Sequence, residues 1–214
     1  MPVTRILHRA GNVPDLLEMA GHPAVDAIEA DVWVHGDHLF AHHERPFGPL
    51  PFVIGNRGPR IRRHPVPLEA ILEAVEGRAR FVIDLRSWFG DPAPELVRAI
   101  APLADVSHLM LTCEDWTVAD RAREWLPGLW VGYSVRSERQ LRDYLAARDA
   151  GMLRETPVVV RHTLLGSPDA VEALRRRAGY VGAWTVDEVD RAQELSRWGV
   201  DAITSNHVTV LNAL

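Results

Sequence analysis

Lysine is missing from this sequence: all 24 basic residues are arginines. A Schiff-base mechanism, which needs a lysine amine, is excluded with it. Cysteine is nearly missing too. The one thiol, Cys113, allows neither an internal disulfide framework nor a cysteine-built zinc site. No apolar run approaches the roughly 20 residues that span a bilayer, so no stable membrane insertion is expected. The N-terminal apolar stretch stops at His8-Arg9, too soon for a signal peptide, and the expectation is a soluble, cytoplasmic protein. The net charge of −5 argues against nucleic acid as a partner held by bulk charge. Neither GxGxxG nor GxxxxGK[ST] occurs, which removes the usual phosphate loops of open α/β sheets.

Hydrophobic residues make up 47% of the 214 positions and charged residues 25%, a balance that supports a sizeable core and an ordered chain. Short β-branched runs alternate with amphipathic stretches. The pattern predicts strands over Thr4–His8, Ala27–Trp33, Arg80–Leu85, His108–Thr112, Leu129–Ser134, Pro157–Arg161, Tyr180–Val186 and Asp201–Ser205. It predicts helices over Pro67–Glu76, Pro92–Ala104, Asp115–Trp125, Glu138–Ala150, Pro168–Arg177 and Asp187–Trp198. Asp91-Pro92, Ser137, Ser167 and Asp187 are candidate start signals, and Gly77, Gly128, Gly151, Gly179 and Gly199 stand where helices should end.

Strands alternating with helices point to a parallel sheet. A closed (β/α)₈ barrel takes about 200 residues or more, so this chain would form a compact one; an open doubly wound sheet is the rival. Glu44–Val66, rich in proline, glycine and arginine, breaks the rhythm and reads as a short insertion after the second strand. No domain boundary is visible, and residues 1–214 are expected to form a single domain.

The second strand, AIEADVW, carries Glu29 and Asp31 two residues apart, which puts both on one face. In a barrel, catalytic groups gather at the C-terminal ends of the strands. By that rule His8-Arg9, Glu29 with Asp31, His42-His43, and Asp84 with Arg86 share one rim. An ExD pair alone is often just the polar face of a strand, and the histidines from His35 to His43 alone could be an exposed hairpin. It is their coincidence that points to chemistry. Carboxylates held this close must be paired, protonated or bound to a cation.

In order, His8-Arg9-Ala10, Val25–Val32 (VDAIEADV), His42-His43, Asp84-Leu85-Arg86, Trp184-Thr185-Val186 and GVDAITSN from Gly199 resemble the motifs of the glycerophosphodiester phosphodiesterase family. That family belongs to the phosphatidylinositol-phosphodiesterase-like barrel superfamily. The resemblance spans nearly the whole chain and implies a single TIM barrel. It implies that Glu29, Asp31 and Asp84 hold one divalent cation, that His8 and His42 are the acid–base pair, that Arg9 and Arg86 contact phosphate, and that Trp184 lines the substrate site. Hard oxygen ligands suit Mg²⁺ or Ca²⁺. The implied substrate is a small-molecule or lipid-derived phosphodiester, cleaved to an alcohol and glycerol phosphate. His43 is expected to point elsewhere.

The sequence departs from the family pattern in four places. The loop after His8-Arg9 is short, the third ligand is Asp84 rather than glutamate, Arg86 replaces lysine, and His43 replaces the aspartate of the HD pair. An aspartate third ligand also resembles the sphingomyelinase D branch. A lysophospholipase D or sphingomyelinase D-like enzyme, or a non-catalytic barrel that binds a phosphorylated ligand, is the alternative. Trp88-Phe89 could put an apolar lip on the site, or pack against the following helix.

Overall fold

A computed structural model of the chain describes residues 2–46, 52–55, 58–61, 65–87, 90–152 and 155–214. Eight parallel strands close on themselves: β1 (Thr4–Leu7), β2 (Ala27–His35), β3 (Arg80–Arg86), β4 (Leu109–Cys113), β5 (Trp130–Val135), β6 (Val158–Arg161), β7 (Val181–Trp184) and β8 (Ala202–Ser205). Neighbours in sequence are neighbours in space, and β1 pairs with both β2 and β8 to complete the ring. The connecting helices are α1 (Leu68–Val75), α2 (Ala93–Ile100), α3 (Trp116–Trp125), α4 (Glu138–Asp149), α5 (Pro168–Ala178) and α6 (Val189–Trp198), with a short α7 (Val208–Leu211) after β8. The first crossover is instead 3₁₀ helix, over Ala10–Asn12 and Pro14–Gly21. Among the described residues no helix is long and apolar enough to cross a membrane.

All eight expected strands are present, each within two residues of its predicted ends. The closed ring settles the choice between barrel and open sheet. Ser137 and Ser167 cap α4 and α5 as expected, and Gly179 and Gly199 end α5 and α6 with positive φ, where a side chain would be strained. Asp187 does not cap α6, whose cap residue is Glu188 with no side-chain bond. Its carboxylate is used elsewhere.

The period of two along each strand separates two cores. Outward residues such as Ile28, Ala30, Val32, Ile83 and Leu85 are buried under the helices. Inward residues Ile6, Ala27, Val82, Met110 and Ala202 form a smaller apolar layer inside the ring. Two residues further along β1, β2 and β3, the inward positions are His8, Glu29 and Asp84. The apolar layer closes the lower half of the ring, and the polar layer lies above it at the C-terminal mouth. This is why one strand carries two acids on the same side.

β2 is long because its upper end leaves the ring. Val32–His35 pairs antiparallel with His38–Ala41 across a turn at Gly36, whose φ is +65°. That outer strand also pairs with Val66–Pro67. Within the insertion, Arg45–Pro46, Phe52–Gly55 and Gly58–Ile61 form a separate three-stranded antiparallel sheet. Residues 47–51, 56–57 and 62–64 of the insertion lie outside the described residues, as do Trp88 and Phe89, so the apolar-lip reading falls outside them too.

Candidate active site

The mouth of the barrel holds three carboxylates in one place. Glu29, Asp31 and Asp84 each offer an oxygen within 4.8 Å of the others. β2 and β3 run in register with Asp31 level with Asp84. Glu29 and Asp31 are buried and Asp84 partly so. Cations and donors surround them. Arg86 bonds Asp31 Oδ1 (Nη2, 2.9 Å; Nε, 3.1 Å), touches Asp84, and bonds Glu114 at 3.0 Å through Nη1. Asn12 donates from Nδ2 to Asp31 Oδ2 and accepts from the Asp31 backbone N–H, both at 2.9 Å.

Arg9 begins the first loop in the left-handed region, with φ +56° and ψ +17°. Among the described residues it is the only non-glycine with positive φ. Such a turn costs roughly 1–2 kcal/mol. It aims the Arg9 N–H at Glu29 Oε2, 2.7 Å away. Gly11 lets the loop lie against β2, since a Cβ there would meet the Ala30 Cβ at 2.7 Å. Arg9 Nε lies 3.3 Å from Asp31 Oδ2, yet this buried atom has no hydrogen-bond partner among the described residues.

The charge balance is short of a cation. Burial, with Asp31 and Asp84 adjacent, pushes Glu29 well above the ordinary carboxylate range. Burial likewise raises Asp84 to about 7, with Asp31 and Glu114 adding to it against the pull of Arg86. Asp31 goes the other way: burial opposes its ionisation, but His43, Arg86, Asn12 and Arg9 outweigh it. Two arginines therefore hold one of the three carboxylates ionised and leave two pressed toward the neutral form. An all-oxygen donor set with that deficit fits a hard divalent cation.

His8 stands beside the cluster, with Nε2 3.8 Å from Glu29 Oε2 and Nδ1 2.7 Å from Asn206 Oδ1. Burial lowers its pKa, with Arg9 adding to the shift, so the imidazole is neutral at physiological pH. His8, Glu29, Asp84, Thr112 and Trp184 line a cavity of about 80 Å³ in the mouth. A wider cleft of about 850 Å³ opens beside it, toward Trp33, Glu114, Trp116, Arg136 and Gln140.

The hairpin brings His42 to the same rim. Its backbone N–H bonds the Asp31 carbonyl, so its side chain rises from the strand face that carries Asp31. The ring stacks on Trp33, Nδ1 meets the Glu44 carbonyl at 2.7 Å, and Nε2 meets His35 Nε2 at 2.9 Å.

The family model for glycerophosphoryl diester phosphodiesterases matches residues 92–210, more than half of the chain. The chain belongs to this family. No curated protein sequence matches it. Among solved structures it is similar to a glycerophosphodiester phosphodiesterase from Parabacteroides distasonis, at 18% identity, covering 99% of this chain and 95% of that one with a TM-score of 0.76. It is similar to a glycerophosphodiester phosphodiesterase from Agrobacterium tumefaciens (17%, 99% and 100%, TM-score 0.72). It is also similar to the Oleispira antarctica phosphodiesterase OLEI02445, solved with the product sn-glycerol-3-phosphate (15%, 99% and 96%, TM-score 0.73). At these identities the likeness is one of fold.

In this family member the match begins after β3, so His8, Glu29, Asp31, His42, Asp84 and Arg86 are located by geometry. The structure brings Glu29, Asp31, Asp84, His8, Arg9 and Trp184 together around one mouth. Arg86 is there too, but its guanidinium is engaged by three carboxylates. His43 does not point elsewhere: its Nδ1 is 3.4 Å from Asp31 Oδ2, because the chain bends past the end of the hairpin strand and turns the ring back over β2. Glu114, Asn12, His35, Asn206 and Asp187 were missed. Glu114 and Asn206 each lie just past the end of a barrel strand, and applying the rim rule to β4 and β8 finds them.

Proposed function

We propose that the protein is a metal-dependent hydrolase that cleaves glycerophosphodiesters to an alcohol and glycerol phosphate. The observation that carries this reading is the convergence, at one barrel mouth, of three mutually close carboxylates, a neutral histidine and a buried guanidinium N–H that is close to Asp31 but makes no hydrogen bond among the described residues. Glu29, Asp31 and Asp84 would hold one Mg²⁺ or Ca²⁺. When bound, such an ion neutralises charge on the phosphoryl oxygens as a Lewis acid. Arg9 and Arg86 would contact the same oxygens, and a phosphate oxygen would accept the hydrogen bond that Arg9 Nε does not make among the described residues.

His8 presents its Nε2 to the mouth and is neutral, which suits it to take a proton from the attacking hydroxyl. His42, across the cluster on the hairpin, would supply the proton to the leaving alkoxide. Trp184, which lines the small cavity, would bound the substrate site on the β7 side. The Oleispira enzyme was solved with sn-glycerol-3-phosphate, the product class proposed here. The wide cleft is lined by Arg86, Glu114, Arg136 and Gln140 together with Trp33 and Trp116, a mixed surface on which the charged groups would favour a polar alcohol as the second substituent.

The test is a hydrolysis panel with and without chelator: glycerophosphodiesters, lysophospholipids, a sphingophospholipid and an aryl phosphodiester. Chelator-sensitive release of glycerol phosphate is expected. Turnover confined to the lipids would move the protein to the lysophospholipase D or sphingomyelinase D reading. Binding of glycerol phosphate without any turnover would leave a ligand-binding barrel.

A further inference from the structure

We infer that Asn206 and Asp187 form a positioning relay that fixes which nitrogen of His8 carries the proton. The inference deepens the hydrolase reading, and rests on it for the consequence for turnover. Asp187 lies between β7 and α6, where a helix cap was expected. Its carboxylate instead accepts from Asn206 twice, from the backbone N–H at 2.9 Å and from Nδ2 at 2.7 Å. Ser205 Oγ, on the last residue of β8, adds a third bond at 3.2 Å. The Ser205 hydroxyl in turn accepts the His207 N–H at 3.1 Å. The segment past β8 is thus tied at three successive residues.

The chemistry of the donors fixes the orientation. An ionised carboxylate only accepts hydrogen bonds, so the Asn206 NH₂ must face Asp187. That turns Asn206 Oδ1 toward His8. An amide oxygen also only accepts, so His8 Nδ1, 2.7 Å away, must be the protonated nitrogen. In a neutral imidazole the other nitrogen is then bare. That nitrogen, Nε2, is the one 3.8 Å from Glu29. The relay therefore runs from a carboxylate through an amide to a ring and ends with a lone pair aimed into the mouth. Without it, both tautomers and both ring flips of His8 are open, and only one arrangement in four puts an unprotonated nitrogen at that place facing the cluster.

The test uses ¹⁵N-histidine-labelled protein, in which the ring-nitrogen shifts separate the two neutral tautomers, with His8→Gln assigning the signal. Wild-type protein should show His8 protonated on Nδ1. Asn206→Ala removes the acceptor, and Asp187→Asn removes the group that orients the amide, so both should give mixed tautomers. Both should lower kcat about ten- to a hundred-fold, with KM changed less than about threefold. The exchange Asn206→Asp with Asp187→Asn keeps an acceptor toward His8 and a donor behind it, and should restore the Nδ1–H tautomer and most of kcat. Wild-type His8 protonated on Nε2 would overturn the relay. So would single variants that keep both the wild-type tautomer and wild-type kcat. If the tautomer shifts as expected in a protein that hydrolyses no diester, the relay stands and the hydrolase reading fails.

Discussion

Asp31 and Asp84 stand level on adjacent strands, and one guanidinium, that of Arg86, touches both. The same arginine also reaches Glu114, which Arg136 contacts from the other side at 3.1 Å. One cation is thus shared among three acids, so it offsets only part of the burial that drives Asp84 and Glu29 toward protonation.

That deficit makes cation binding depend on pH. A carboxyl raised in the fold keeps its proton to about 7 in the case of Asp84, against 3.8 ordinarily. Its ionisation therefore removes stability from the metal-free protein as pH climbs through 7. His8 has the opposite sign, since a lowered imidazole contributes stability that is lost as pH falls through its ordinary value of 6.5. Comparing metal-loaded with metal-free protein at each pH isolates the carboxylates. A cation must displace the proton, so the share of apparent affinity that depends on Asp84 should fall by up to about tenfold per unit below 7. The rise in melting temperature produced by Mg²⁺ or Ca²⁺ should be several-fold larger near about pH 8 than near about pH 5.5. Glu29→Gln and Asp31→Asn should each abolish it. An equal rise at both pH values, or one that survives in both variants, would remove the site.

Arg86→Ala should destabilise the metal-free protein by about 3 kcal/mol, because it leaves three acids facing one another without their shared partner. Urea denaturation measures it. Adding the cation should recover part of the loss, since charge at the same place is restored. Arg86→Lys keeps the charge but cannot reach three carboxylates at once, and should fall between wild type and alanine. A loss under about 0.5 kcal/mol would mean the arginine is held there without consequence.

The barrel was legible because most strands carry an apolar outward face and the glycines and capping serines mark the helix ends. The acids were legible because Glu29 and Asp31 share a parity on a strand whose other face is wholly apolar. Asp187 was misread because a sequence shows a capping residue type in a capping place, and cannot show that Asn206 arrives from β8 to claim its carboxylate. His43 was misread for a related reason: alternation holds while the strand lasts, and it ends at Ala41. Asn12 stayed hidden because its role depends on how the loop after β1 folds back against β2.

His43 now has a testable part. Its contact with Asp31 is one of four that keep that carboxylate ionised. His43→Ala removes one donor while leaving Arg86, Arg9 and Asn12. The expected effect is a loss of cation affinity of about tenfold or less, with kcat at saturating cation within about threefold of wild type. Calorimetric titration with Mg²⁺ or Ca²⁺ checks the first part and steady-state kinetics the second. A hundred-fold fall in saturating kcat would instead give His43 the role assigned to His42.

The acid–base assignment makes the sharpest demand. His8 follows the end of β1 and His42 follows the hairpin strand beyond β2, so the two side chains come from different elements. Positioned acids and bases contribute roughly 10²–10⁴ in rate. His8→Ala and His42→Ala should therefore each lower turnover at least a hundred-fold while the cation-induced rise in melting temperature survives. His35 donates to or accepts from the same His42 nitrogen that would deliver the proton, at 2.9 Å. His35→Ala should leave turnover well above the His42→Ala level, since the proton donor itself remains. A base and an acid acting in concert give a bell-shaped pH–rate profile. Because burial lowers His8, the acid limb should lie below 6.5, where protonation removes the base. In His8→Ala that limb should disappear and the alkaline limb remain. A double variant of His8 and His42 that keeps wild-type turnover, or a profile whose acid limb is unchanged in His8→Ala, would end the two-histidine mechanism.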